Sequence, residues 1–154
     1  MEEPRWLSAA ELSTWMSLAK LMVVLPSTLD SRLQRESGLT YFEYMVLAAL
    51  SDRHDHRMRM SDLAAFANGS VSRLSHVARR LEAQGLVRRE PSPDDRRSIL
   101  MALTDDGRAR MVAAAPDHVD AVRSHVMDPL TPEQVAQLGV IADRITATMD
   151  PDAC

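Results

Sequence analysis

From Ser70 to Arg80 the chain reads SVSRLSHVARR, and every polar residue in it carries a hydrogen-bond donor: Ser70, Ser72, Arg73, Ser75, His76, Arg79 and Arg80. Hydroxyl, imidazole and guanidinium groups suit phosphate oxygens and the acceptor edges of bases, and one guanidinium can grip guanine O6 and N7 with two bonds at once. Wound as a helix, at about 100° per residue, the stretch places Val71, Leu74, Val77, Ala78 and Leu81 on one side. Ser72, His76 and Arg79 lie opposite, flanked by Arg73, Ser75 and Arg80. Side chains in the N-terminal half of such a helix are the ones that reach base edges. That assigns reading to Ser70, Ser72, Arg73 and His76, with Arg73 foremost, and phosphate to Arg79 further along. The competing reading is an ordinary solvated face, which must then explain three arginines and a histidine beside a single acid, Glu82.

A second set follows in the run Pro91-Ser92-Pro93-Asp94-Asp95-Arg96-Arg97. Arg96 and Arg97 beyond a proline-rich tip suit a narrow minor groove, whose negative potential favours arginine. Asp94 or Asp95 would hold one of these long side chains in a single rotamer. An exposed ion pair worth little is the alternative.

The elements that must carry these groups are legible between Met60 and Leu103. Leu63, Ala64, Phe66 and Ala67 give a short helix an apolar face, with Ser61 as its expected cap, and Asn68-Gly69 makes a turn. The donor-faced helix then runs from Ser70 to Gln84 and stops at Gly85. Leu86 to Glu90 and Ser98 to Leu103 read as strands, and the tip between them is excluded from the ladder because its prolines lack donors. Arg57-Met58-Arg59 alternates as a short strand would. Short helix, turn, donor-faced helix and basic hairpin together form the pattern of a winged helix-turn-helix.

Longer helices flank this module. Leu7-Ser8-Ala9-Ala10-Glu11-Leu12, Leu39-Thr40-Tyr41-Phe42-Glu43-Tyr44 and Leu130-Thr131-Pro132-Glu133-Gln134-Val135 each combine a capping box with an apolar staple, so three helices are predicted to start there. In the first, Trp15, Leu18, Met22, Leu25, Leu29 and Leu33 recur at spacings of three and four, and Pro26 should kink the helix without ending it before Gly38. Thr104, with Asp105 and Asp106 in a favourable first turn, begins another, which Pro116 kinks or divides and Met127-Asp128-Pro129 closes. Val135, Leu138, Ala142, Ile145 and Met149 form a seam on the last helix suited to another helix, and the tail from Asp150 is expected to fray. Such stripes cannot all be buried on a small winged module, so a two-fold partner is the economical solution. The fold class expected is mainly α with a small β-hairpin wing: one domain over 1–154, a winged helix-turn-helix at 40–103, and pairing helices at 8–37 and 104–149.

Composition bounds the function. The chain has 154 residues, 45% of them hydrophobic, enough for one ordinary core. Its net charge is −4, yet the segment from Arg57 to Arg97 holds nine arginines against five carboxylates, +4, leaving −8 elsewhere. That segregation turns the positive module toward a polyanion. Cys154 is the single cysteine, so there is no disulfide framework. No apolar run approaches the ~20 residues of a membrane span, and the N-terminus, with Glu2 and Glu3, does not read as a signal peptide. The expectation is a soluble, cytoplasmic protein. No Gly-rich phosphate loop, nucleophile elbow or His-x-x-x-His pair is present, so no enzyme and no cofactor is predicted. His54 and His56 make the one metal-like loop, but arginines interrupt it and further ligands would have to fold onto it. No metal site is assigned, and a metal-responsive regulator is the least favoured alternative.

Leu63-Ala64 through Arg73, Arg80-Leu81-Glu82-Ala83-Gln84-Gly85-Leu86-Val87-Arg88-Arg89, Asp94-Asp95-Arg96-Arg97-Ser98 and Leu103-Thr104-Asp105-Asp106-Gly107 resemble the MarR family of bacterial transcription regulators. The family's Asp-x-Arg wing signature falls on Asp95 and Arg97, and its Leu-Thr-x-x-Gly on Leu103, Thr104 and Gly107. The resemblance implies a homodimer formed by the terminal helices, double-stranded DNA as partner through a pseudo-palindromic operator, usually repression, and often release by a small aromatic or phenolic ligand. Trp15, Tyr44, Met45 and Met111 are the candidates for a ligand pocket, with ordinary core packing as the competing assignment. A helical dimer that binds protein instead of DNA is the main alternative function.

Overall fold

Hydroxyl caps set where three of the helices begin. In the computed structural model, which describes residues 4–66, 71–93 and 98–149, α1 spans Ala9–Ser37, α2 Tyr41–Ser51 and α6 Pro132–Ala147. Ser8, Thr40 and Thr131 each accept from the backbone N–H three residues on, at 3.3, 3.1 and 3.3 Å. Glu11, Glu43 and Gln134 each accept the cap residue's own N–H in return, at 2.8 to 2.9 Å. All three predicted boxes therefore form. Helix α1 runs unbroken through Pro26 and ends where Gly38 turns left-handed at φ 67°.

Between α2 and α6 lie β1 (Arg57–Arg59), α3 (Met60–Phe66), α4 (Val71–Ala83), β2 (Val87–Pro91), β3 (Ile99–Leu103) and α5 (Asp105–Val122). The strands form an antiparallel sheet in the order β1-β3-β2, with Met58 opposite Met101 and Arg89 opposite Met101 from the other side. Two expectations need correction. Ser61 does not cap α3: β1 runs directly into the helix at Met60, so Ser61 sits in the first turn and its hydroxyl donates to Asp62 Oδ1 at 3.1 Å. Pro91 is not in the tip: it closes β2 opposite Ile99, and β2 is an edge strand, where proline is tolerated. Ser92 N–H extends the hairpin by donating to Ser98 O at 2.9 Å.

Helix α4 stops by a Schellman arrangement. Leu86 N–H reaches Leu81 O and Gly85 N–H reaches Glu82 O, both at 2.9 Å, with Gly85 at φ 73°. The chain is thus turned straight into β2. At the far end of the hairpin, Thr104 Oγ1 accepts Gly107 N–H at 2.9 Å and donates to Gly85 O at 2.7 Å. A Cβ on Gly107 would lie 1.9 Å from Leu86 O, so the Leu-Thr-x-x-Gly signature is a backbone contact that only glycine permits.

The chain divides into two compact units, 1–118 and 119–154. The first is built on α2, whose Val46, Leu47 and Leu50 are fully enclosed together with Leu33, Leu39, Leu63, Leu74, Leu81 and Met101. Burial of this kind is worth roughly 1.5–3 kcal/mol per large side chain. The second unit contains a π-helical turn at Arg123–Met127, with Arg123 on Asp128 at 2.8 Å, and α6, none of whose residues is buried. By length and composition α1 is long and apolar enough to cross a membrane, which corrects the expectation that no run approaches a span. Hydropathy counts residues irrespective of the face they occupy. In α1 Leu29 and Leu33 are buried in the first unit, while Leu12, Trp15, Met16, Leu21 and Met22 stay exposed.

Candidate nucleic-acid interface

The two faces predicted for α4 are present. Leu74, Ala78 and Leu81 are completely buried, and Ser72, Arg73, His76, Arg79 and Arg80 are exposed, with Ser75 and Val77 half-buried. Arg79 leans back along the helix, its Nε donating to Ser75 O and its Nη2 meeting His76 Nδ1, both at 3.4 Å. Arg73 lies with its guanidinium carbon 4.6 Å from the centroid of the Phe42 ring. Of the other predicted contacts, Ser70, Asp95, Arg96 and Arg97 fall outside the described residues.

Arg80, on the donor face, is also bound within the fold. Its Nε and Nη2 donate to the two carboxylate oxygens of Glu43 at 2.6 Å each, and Glu43 is only 1% exposed. The same carboxylate accepts Thr40 N–H at 2.8 Å and Thr40 Oγ1–H at 3.0 Å. The capping carboxylate of α2 is therefore also the anchor of α4. About two turns of helix upstream of Gly38, Asp30 Oδ1 accepts Tyr41 N–H at 2.7 Å, which fastens α1 to the start of α2. Sequence reasoning found Glu43 as a cap and missed both its pairing with Arg80 and the bond from Tyr41 to Asp30, because the two pairs span 37 and 11 residues and no local spacing reports such pairs.

Other arginines of the basic segment are also paired internally. Arg89 Nη2 donates to Ser75 O at 3.1 Å, and its Nε lies 3.6 Å from Glu82, so β2 is tied to α4 along its length. Glu90 takes Arg88 and, at 3.4 Å, Arg57. The Arg89 contacts hold β2 against α4, and the Glu90 pairs lie within the sheet.

Between α1, α2 and α4 a cleft of about 900 Å³ is lined by residues that include Pro26, Asp30, Tyr41, Phe42, Arg73, His76 and Arg80. None of the four proposed pocket residues lines it. Trp15 is half exposed on α1, Tyr44 is buried, and Met45 and Met111 are packed against the core. Three of the four are core or core-flanking, because apolar residues at helical spacing face inward first. The ring of His118 lies tilted against Tyr44 and Tyr41, at 4.5 and 6.0 Å between centroids. Burial holds its imidazole below the ordinary histidine range and pushes the Tyr44 phenol up. Among the described residues, no group of three or more His, Cys, Asp or Glu is placed to hold a metal ion.

A helix with one face in the core and one face of outward donors, seated on a three-stranded sheet, defines a winged helix-turn-helix protein. The MarR family model matches residues 39–99. The crystal structure of Sco3205, a MarR family transcriptional regulator from Streptomyces coelicolor in complex with DNA, superimposes with a TM-score of 0.92 at 42% identity, covering 99% of this chain and 95% of that one. AbsC, a MarR family regulator from the same organism, gives 0.87 at 39% identity over 95% and 98% of the two chains. The HTH-type transcriptional repressor YetL of Bacillus subtilis is 29% identical over 117 residues, 73% of this chain and 70% of that protein. The chain belongs to the MarR family of transcriptional regulators, and its class is regulatory, not enzymatic.

Proposed function

We propose that this protein is a cytoplasmic, homodimeric repressor that binds a pseudo-palindromic double-stranded operator. The observation that carries the reading is the exposed Ser72, Arg73, His76 and Arg79 set on α4, with Ser75 half-buried beside it, opposite a face with Leu74 and Leu81 fully enclosed. Ser72, Arg73 and His76 enter the major groove, together with Ser70; Arg79 meets phosphate; Asp95, Arg96 and Arg97 serve the wing. Arg80 orients the helix through Glu43. A relative 42% identical over nearly the whole chain was crystallised with DNA, which supports the same partner here.

The module at 40–103 reads, and the helices at 8–37 and 104–149 pair the copies. Support for pairing lies in the apolar side chains left bare: Leu12, Trp15 and Met22 on α1, and Leu138, Ile141 and Ile145 on α6. A second copy covers such stripes and sets two reading helices about 10 base pairs apart. Release by a small aromatic or phenolic ligand is favoured at the α1–α2–α4 cleft, where Tyr41 and Phe42 offer rings and Arg73 and Arg80 offer guanidinium groups.

Selection of bound sites from random duplex DNA tests the whole reading, with sedimentation at micromolar concentration beside it. An inverted repeat bound by a dimer, with affinity falling steeply as salt rises, is the expected result. A folded monomer that enriches no sequence overturns it. Arg73→Ala should flatten one base preference in each half-site.

A further inference from the structure

We infer that Arg59 is a phosphate-contacting residue: with the cleft beside it, it seats the stretch of operator backbone between the groove entered by α4 and the groove entered by the hairpin tip. The inference rests on the DNA-reading function proposed above. A cleft of about 320 Å³ lies between Ser75 of α4 and Arg89 and Ser98 of the hairpin, and Arg59 and Ser61, where β1 runs into α3, add to its lining. With a helix in the major groove and a wing in the adjacent minor groove, the strand that divides the two grooves crosses the protein between those elements. That path leads over this cleft.

Arg59 is the group suited to meet it. The residue is exposed, and among the described residues its guanidinium has no ion pair and no hydrogen bond. Its neighbours are already engaged: Arg57 and Arg88 share Glu90, and Arg89 is held by Ser75 O and Glu82. Their charge is balanced within the fold, whereas that of Arg59 is left for a phosphate. Asp62, the nearest acid in the chain, accepts the Ser61 hydroxyl at 3.1 Å, and neither Asp62 nor Glu82 lines the cleft. The seat is also fixed in place. Arg59 pairs with Leu100 in the sheet, and Arg89 Nη2 on Ser75 O at 3.1 Å sets the distance between hairpin and helix. A phosphate held there carries no base preference, but it fixes the register of α4 in its groove.

The test uses the full-length protein and an operator duplex obtained by selection, in which each phosphodiester in turn is replaced by an uncharged methylphosphonate. In the wild type, one position per half-site on the dividing strand should cost about tenfold in affinity, the lower end for a charge-assisted hydrogen bond. Arg59→Ala should bind the unmodified duplex about tenfold more weakly per half-site, lower the salt slope by about 0.9 per protomer, and lose all sensitivity to the methylphosphonate at that position. Its base preferences should match the wild type. Arg59→Gln, which keeps much of the stem without the charge, should behave as Arg59→Ala does, and Arg59→Lys should retain the slope; melting curves establish that each variant is folded. Wild-type affinity in Arg59→Ala, a methylphosphonate pattern unchanged by the substitution, or an altered base profile overturns the inference and leaves the DNA reading standing. So does inorganic phosphate that raises the melting temperature through Arg59 while operator binding is equal with and without that arginine, which would make the cleft a seat for a free anion only. A wild-type protein with no base preference overturns both.

Discussion

The Glu43 carboxylate accepts four donors in a place water does not reach, and the cost of disturbing it follows from the geometry. In Glu43→Gln the amide must present its NH₂ either to Arg80 Nε or to the pocket shared by Thr40 and Arg80 Nη2. Either way donor meets donor, and the ionic part of the pair is gone. Removing one partner of a buried pair costs about 3–5 kcal/mol. Arg80, however, is 56% exposed and can turn to solvent, so the loss here is nearer 2–3 kcal/mol, the range of one charge-assisted hydrogen bond. Arg80→Ala should be the more damaging change, about 3–5 kcal/mol, because it removes both guanidinium bonds from a carboxylate that is 1% exposed. Urea unfolding followed by circular dichroism, at one protein concentration and salt, measures both, since any partner copy makes stability concentration-dependent. Thermal midpoints should fall by roughly 5–10 °C for Glu43→Gln. The double variant should be less destabilised than the sum of the singles, since both remove one interaction. A Glu43→Gln protein as stable as wild type, or an Arg80→Ala protein more stable than Glu43→Gln, would refute the reasoning.

Three further outcomes follow. Gly107→Ala gains helix propensity but drives a Cβ to 1.9 Å from Leu86 O; we expect a net loss of about 2 kcal/mol or more, read as a lower urea midpoint at unchanged slope, and an equal or higher midpoint would contradict the close approach. His118 has its pKa lowered by burial from 6.5, so the folded protein binds fewer protons than the unfolded chain. Its contribution is present above about pH 6.5 and is lost as pH falls toward the lower, folded value. His118→Phe should therefore flatten the decline in melting temperature between pH 7.5 and 5.5, and an unchanged slope would show that other groups carry it. Arg97→Ala should weaken operator binding and reduce the salt slope by about one; wild-type affinity at every salt concentration would remove Arg97 from the interface.

The capping boxes at Ser8, Thr40 and Thr131 were readable in sequence because both partners of each bond lie within three residues, where backbone geometry is set by the helix alone. The two faces of α4 were readable for the same reason, since helical periodicity sorts Leu74, Ala78 and Leu81 from Ser72, His76 and Arg79 before any neighbour is known. Ser61 and Pro91 were misplaced by a residue or two. A helix start and a strand end depend on what adjoins them: β1 leads straight into α3, and Pro91 is admitted because β2 has a free edge.

The sequence by itself determined the chemistry on offer and its order along the chain: a donor-faced helix, a proline-bounded hairpin, and apolar stripes on the terminal helices. Only the tertiary structure decided which donors are available. Arg80 and Arg79 carry the same group on adjacent residues of one exposed face, yet Arg80 is bound to a buried carboxylate 37 residues away, while Arg79 bonds to Ser75 and His76 of its own helix. Arg73 likewise lies 4.6 Å from the centroid of the Phe42 ring, on another element. Local spacing sets the face on which a side chain emerges, because it depends on the backbone of a few consecutive residues. The partner it meets there is set by how separate elements are brought together, which no local spacing encodes.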